Sequence, residues 1–149
     1  MGTTTVTGCY GKRYTLNTEG NIDRHAENAF SRGQCHALAL ALHRLMGWEL
    51  YGLYTASERR SRRYNGTPSH TVVRMPDGDY LDIHGNGALD NWRVSWPDAE
   101  PIALTEAEVL AFEHRDYRKP NIKAAMPYAE TLAGNYSRGG VQTRFPFAI

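Results

Sequence analysis

The segment from Cys35 to Met46 gives the strongest secondary-structure signal in the chain. Its alternating Leu and Ala residues could form a strand. Its length, its content of good helix formers and the following Gly47 instead favour a helix. Leu38 and Leu42 lie on one face of that helix, so the sequence predicts a helix packed through an apolar side.

Cys35 lies in the first turn of the predicted helix. Backbone N–H groups in that turn have no partner inside the helix, and the positive end of the helix dipole lies there. Both effects favour a thiolate over a thiol, so Cys35 has the position of a nucleophile. The preceding Ser31-Arg32-Gly33-Gln34 is expected to form a turn in which Gly33 provides an unusual backbone angle or a close approach.

A β-hairpin is predicted further along the chain. Residues 69–75 and 79–84 have the pattern of two strands, and the Pro-Asp-Gly sequence at 76–78 is a strong turn signal. A three-residue loop pairs the strands so that His70 lies opposite His84.

Asp82 then lies on the diagonal from His70 in the same hairpin. Diagonal neighbours are about 7–8 Å apart at Cα, a distance that imidazole and carboxylate side chains can bridge. Cys35, His70 and Asp82 thus have the residue types of a nucleophile, a base and an orienting carboxylate. The sequence leaves the role of His84 open: it could be a further partner of this group, a substrate contact or a metal ligand.

The remaining segments complete a single α+β domain of 149 residues. We expect a catalytic core over about residues 21–90 and a C-terminal helical extension over about residues 104–149. The smaller elements predicted by apolar patterns, glycines, prolines and caps are a short strand or irregular arm before Glu19, a short helix beginning within 21–30, a strand at 48–55, a loop after Gly87, a helix from the capping box at Thr105 to about His114, a helix within 121–133 that Pro127 starts or interrupts and Gly134 ends, and a docked tail at 141–149.

Charge and hydropathy narrow the classes of partner. The formal net charge of +1 gives no global attraction to nucleic acid. No apolar run is long enough to span a bilayer and the N-terminus does not resemble a secretory signal, so we expect a cytoplasmic protein with reduced cysteines. The local exception is an arginine segment that contains Arg59, Arg60, Arg62 and Arg63. It is either a solvated loop or a clamp for an acidic substrate or a phosphate backbone.

The order of these motifs resembles the papain-like superfamily, and within it the transglutaminase-like and related bacterial cysteine hydrolases. The resemblance rests on Gly33-Gln34-Cys35 opening a helix, His70 opening a strand, and Asp82 on the next strand, and it covers about residues 31–85. It implies a papain-like core in which the cysteine helix packs on an antiparallel sheet. It also implies Cys35 as nucleophile, His70 as general base, Asp82 as orienting carboxylate, and no cofactor.

The oxyanion donor and the substrate are less well defined by the resemblance. Asn28 is one candidate for an oxyanion side chain, and Gln34 is another that could instead point elsewhere. His36 stands where true transglutaminases usually carry a tryptophan, which favours hydrolysis over cross-linking. His36 and His43, seven positions apart on the helix, are expected to share a solvated face.

The predicted function is that of a thiol hydrolase or acyltransferase acting on amide bonds through a thioester. A peptidase or a glutamine deamidase acting on a protein or peptide is the leading case, and the arginine segment would select an acidic partner. One alternative is a non-enzymatic module that binds protein or nucleic acid. Another is a zinc protein that uses Cys35, His70, Asp82 and His84 as ligands.

Overall fold

The computed structural model of the protein describes residues 2–60, 67–112 and 119–137, without the side chains of Arg60 and Ser137. Its strands are β1 (Thr3–Thr7), β2 (Arg13–Asn17), β3 (Glu49–Tyr54), β4 (His70–Arg74), β5 (Tyr80–Asp82), β6 (Gly85–Asn86) and β7 (Glu100–Leu104). Within the described ranges, five of them form an antiparallel sheet in the order β6-β5-β4-β3-β7, and β1 pairs with β2 in a separate hairpin.

The helices are interspersed among the strands along the chain. They are α1 (Arg24–Ala29), α2 (Cys35–Met46), α3 (Ala56–Arg60), α4 (Ala88–Ser95), α5 (Glu106–Leu110) and α6 (Ile122–Ser137). The mixed α+β architecture agrees with the predicted fold class. No helix in the described part of the chain has the length and apolar character needed to cross a membrane.

The central helix α2 has the bounds that the sequence predicts. It ends at Gly47, whose φ of 74° is left-handed and suits glycine. Every residue from Cys35 to Leu42 is buried, because α2 contacts β3, β4 and β5 of the sheet and also contacts α6. The helix is therefore enclosed by the sheet and by α6, and this enclosure fixes the position of its first turn.

Helix α6 differs from the prediction. It continues beyond Gly134 to Ser137 and contains Pro127 in its interior. Its buried face carries Ala125, Tyr128 and Ala129, which join the main core with α2. This packing offsets the cost of Pro127, because proline on its own disfavours the interior of a helix. The predicted docking of 141–149 falls outside the described residues.

The β4-β5 hairpin has the predicted register near its turn. Arg74 pairs with Tyr80, and the Met75 N–H donates to the Asp79 carbonyl at 2.8 Å. The pairing does not extend to His84, however, because the chain turns after Asp82 to form β6. Asp82 is thus placed on the diagonal from His70, whereas His84 lies in a turn.

Other local predictions need correction. The segment after Gly87 is α4 rather than a loop, since its apolar residues pack on the cluster that contains Leu53 and Val72. The predicted capping box at Thr105 is present, but α5 ends at Leu110. The edge strand β7 was not predicted, because its exposed residues and Pro101 give little strand signal.

Candidate active site

The imidazole of His70 and the carboxylate of Asp82 form the polar centre of the site. His70 Nε2 lies 2.9 Å from Asp82 Oδ2, and the two side chains are only 2% and 6% exposed. The other oxygen, Asp82 Oδ1, accepts the backbone N–H of His84 at 2.9 Å. Both carboxylate oxygens are therefore held, and the carboxylate in turn orients the imidazole.

Cys35 completes the group from the first turn of α2. Its thiol lies close enough to His70 for the imidazole to lower the pKa of the thiol, although only 5% of the residue is exposed. His70 Nδ1, the ring nitrogen that Asp82 does not engage, is buried and has no hydrogen-bond partner among the described residues. The structure thus brings together Cys35, His70 and Asp82, in that order.

The electrostatics of the group favour a thiolate–imidazolium pair. Burial would raise the pKa of Cys35, but the charge of His70 and side-chain hydrogen bonds from His36 and His70 hold it well below its usual value. Burial would lower the pKa of His70, but the Cys35 charge and the Asp82 hydrogen bond raise it to about 10. Burial opposes ionisation of Asp82 too, yet the hydrogen bond and charge of His70 lower the pKa of its carboxyl.

His36 is a member of the site that the sequence placed in solvent. It is 1% exposed, and its side chain is hydrogen-bonded to the Cys35 side chain. The predicted solvated face with His43 was therefore wrong for His36. His43 is half-buried and its Nδ1 lies 2.7 Å from the Trp48 carbonyl oxygen. No periodicity in α2 could reveal this burial, because it depends on the packing of α2 against distant segments, the sheet and α6.

The indole of Trp92 covers the imidazole of His70. The two rings are stacked with centroids 4.5 Å apart and planes 15° apart. The indole Nε1 donates to Ser69 Oγ at 3.1 Å, and this hydroxyl donates to the Leu53 carbonyl at 2.8 Å. Trp92 comes from α4, the helix that the sequence analysis missed, so its place beside His70 was missed as well.

Gln34 is a structural clamp next to Cys35. Its Nε2 donates to the carbonyl oxygens of Thr7 at 2.8 Å and Lys119 at 3.1 Å, while Oε1 accepts the Asn121 N–H at 3.0 Å. Both amide hydrogens are thereby engaged, and the residue is 1% exposed. The geometry gives Gln34 no donor for a substrate oxygen.

The other candidates lie in different surroundings. Asn28 is half-buried on α1. The guanidinium of Arg59 donates to the carbonyls of Tyr54 at 2.9 Å and Asp98 at 3.0 Å, so it braces the backbone around α3. The side chain of Arg60, and all of Arg62 and Arg63, lie outside the described residues.

His84 lies beside the carboxylate of the site. Its ring contacts Ser31 and Glu27, and its backbone holds Asp82. In residues 2–60, 67–112 and 119–137, no group of three or more His, Cys, Asp or Glu side chains could hold a metal ion.

Comparisons with known proteins add no relative to this description. No family model matches the chain, and neither a curated protein nor a solved structure shows significant similarity to it. The function is therefore argued from the site itself.

Proposed function

We propose that the protein is a thiol hydrolase or acyltransferase that acts on amide bonds through Cys35, with a papain-like arrangement of its core. The observation that carries this proposal is the buried imidazole of His70, which lies 2.9 Å from Asp82 and close enough to the Cys35 thiol for each group to shift the pKa of the other. A thiol, an imidazole and a carboxylate in series form a general device for nucleophilic catalysis.

The first half-reaction follows from these groups. The Cys35 thiolate attacks the carbonyl carbon of an amide, a C–S bond forms, and the carbonyl electrons move to oxygen. The His70 imidazolium then gives its proton to the amide nitrogen as the C–N bond breaks and the amine leaves. The products are a thioester on Cys35 and a neutral imidazole that keeps its hydrogen bond to Asp82.

The second half-reaction decides the activity. A water molecule that gives a proton to His70 and attacks the thioester releases a carboxylic acid and restores the thiolate–imidazolium pair. If the first leaving group was a peptide amine, the reaction is peptide cleavage; if it was ammonia from a glutamine side chain, the reaction is deamidation. Attack by an amine instead of water gives acyl transfer. A protein or peptide is the substrate class proposed here, with an acidic partner if the arginine segment takes part.

The proposal is tested by the rate of iodoacetamide labelling of Cys35 between pH 5 and 9, with Cys9→Ser in every protein. We expect labelling that stays fast to about pH 6, well below the usual thiol pKa of about 8.5, and that loses this behaviour in His70→Ala. His25→Ala is the matched control, because His25 is exposed on α1. A pH profile of labelling that is typical of a free thiol and is unchanged in His70→Ala would overturn the proposal.

A second experiment separates the reaction types. Hydroxylamine captures a thioester as a hydroxamate, so incubation with a peptide library and hydroxylamine marks the attacked carbonyl. A hydroxamate at a new C-terminus identifies a peptidase, and one on a glutamine side chain identifies a deamidase or acyltransferase. Hydroxamates that form equally with Cys35→Ala would contradict the proposed nucleophile.

A further inference from the structure

A second set of polar contacts joins α1 to the carboxylate of the site. Ser31 Oγ lies 3.1 Å from His84 Nε2, and Glu27 Oε2 lies 3.8 Å from His84 Nδ1. The backbone N–H of the same histidine donates to Asp82 Oδ1 at 2.9 Å. The proposed reaction uses none of these three side chains, so the contacts call for a separate explanation.

These contacts connect parts of the chain that must stay in register. Glu27 lies on α1, and Ser31 lies in the loop that leads to Cys35. His84 lies in the turn between β5 and β6. The ring of His84 thus holds the loop before the nucleophile, and its backbone holds the carboxylate behind the imidazole.

We propose that His84 is a positioning residue: anchored by Ser31 and Glu27, it fixes the orientation of Asp82 and, through Asp82, that of the His70 imidazole. The inference rests on the proposed function, because it assigns a role within the same site. A carboxylate held at one oxygen can rotate about its Cβ–Cγ bond, whereas one held at both oxygens keeps its plane. The His84 N–H provides the second of these bonds.

The hydroxyl contact is the stronger of the two anchors. The side chains of His84 and Glu27 are 22% and 41% exposed, and the separation of their nearest charged atoms is 3.8 Å. A partly exposed ion pair of this length contributes little, whereas the Ser31 hydrogen bond has ordinary geometry. The positioning role of His84 therefore predicts that Ser31→Ala lowers the labelling rate of Cys35 more than Glu27→Gln does.

The experiment measures the pH profile of Cys35 labelling in a Cys9→Ser background. His84→Ala and Ser31→Ala are expected to slow labelling at pH 6 by roughly three- to tenfold, the scale of one hydrogen bond. His84→Gln is expected to keep most of the rate, because its amide can still form a hydrogen bond with Ser31 Oγ. His25→Ala is the control, and thermal unfolding followed by circular dichroism shows which variants are folded.

A double-mutant cycle with Asp82→Asn separates positioning from a general structural effect. If His84 acts through Asp82, His84→Ala causes no further loss of labelling once Asp82→Asn is present. If His84→Ala and Asp82→Asn each lower the labelling rate independently of the other, the inference is overturned. Should His84→Ala fail to fold, Ser31→Ala in the same cycle gives the same test.

Failure of the inference is distinct from failure of the proposed function. A His70-dependent thiolate that is unaffected by His84→Ala and Ser31→Ala overturns the positioning role and leaves the proposed function standing. An ordinary thiol profile in the parent protein overturns both.

Discussion

The indole of Trp92 lies nearly parallel to the imidazole of His70, at a centroid distance of 4.5 Å. An aromatic face attracts a cation, so this stacking favours the imidazolium form of His70 and shields it from water. The Trp92 Nε1 bond to Ser69 Oγ fixes the indole in this orientation. The histidine is thus held by Asp82 at its edge and by Trp92 at its face.

Replacing Trp92 with alanine is expected to weaken the thiolate–imidazolium pair. The stacking contributes on the order of 1 kcal/mol, so labelling of Cys35 at about pH 6 and below should slow by up to about fivefold, while labelling at pH 7 changes little. Trp92→Phe keeps an aromatic face and is expected to retain most of the rate. Trp96→Ala, one helical turn further and 46% exposed, is the control. Equal labelling profiles for Trp92→Ala and the parent would contradict the role of the stacking.

The Gln34 clamp predicts a loss of stability when its amide is removed. Gln34→Ala leaves the carbonyls of Thr7 and Lys119 and the N–H of Asn121 without their partner. A buried group left without a partner costs about 1–3 kcal/mol, and because Thr7 and Lys119 are exposed residues and Asn121 is half-buried, the expected total is about 3 kcal/mol. Urea unfolding measures this change. Gln34→Glu has nearly the same shape but lacks the two donors, so it should be at least as destabilising; a neutral Gln34→Glu would contradict the assigned bonds.

Gly33 is predicted to tolerate no side chain. Its φ is +111°, and a Cβ atom there would lie 2.5 Å from the Cys9 backbone nitrogen. Gly33→Ala combines this clash with backbone strain, for an expected loss of about 3 kcal/mol in the free energy of unfolding. Gly11→Ala is the matched control, since its φ is +76° but nothing lies within 4 Å of the added Cβ. Equal losses in the two variants would show that the close approach to Cys9 is unimportant.

The lowered pKa of Asp82 predicts an acid-sensitive component of stability. Because the folded protein holds this carboxyl ionised below its usual value of 3.8, the contribution is present above that pH. It is lost as the pH falls from 3.8 through the lowered pKa. Urea unfolding at pH 5, 4 and 3 should therefore show a steeper loss for the parent than for Asp82→Asn. The control Asp90→Asn, at an exposed position on α4, should follow the parent.

Local signals in the sequence were sufficient for α2 and for the hairpin. Helix α2 has strong helix formers and a glycine stop, and the Pro-Asp-Gly turn sets the register that places Asp82 on the diagonal from His70. These features depend on neighbours in the chain, so single-sequence patterns contain them. Local patterns alone do not predict that Cys35 lies beside His70, because this proximity depends on how α2 packs on the sheet.

Features that depend on distant segments were missed for that reason. His36 is buried in a helix that packs on both the sheet and α6, and the sequence left the position of α6 vague. Trp92 has no spacing relationship to His70 that a pattern could reveal. The edge strand β7 is defined by pairing with β3, and its own residues give a weak signal. In each case tertiary packing overrides local propensity and determines the structure.

The clamp at Gln34 also has a consequence for the order of folding. It joins the residue before Cys35 to Thr7, 27 positions earlier, and to Asn121, 87 positions later. Contacts across such separations form late, since a long loop must close before they contribute. During synthesis on the ribosome, the thiol is made long before the segment that completes its surroundings. The contacts that hold Gln34 beside Cys35 are accordingly complete only once the segment around Lys119 and Asn121 has been made and has docked.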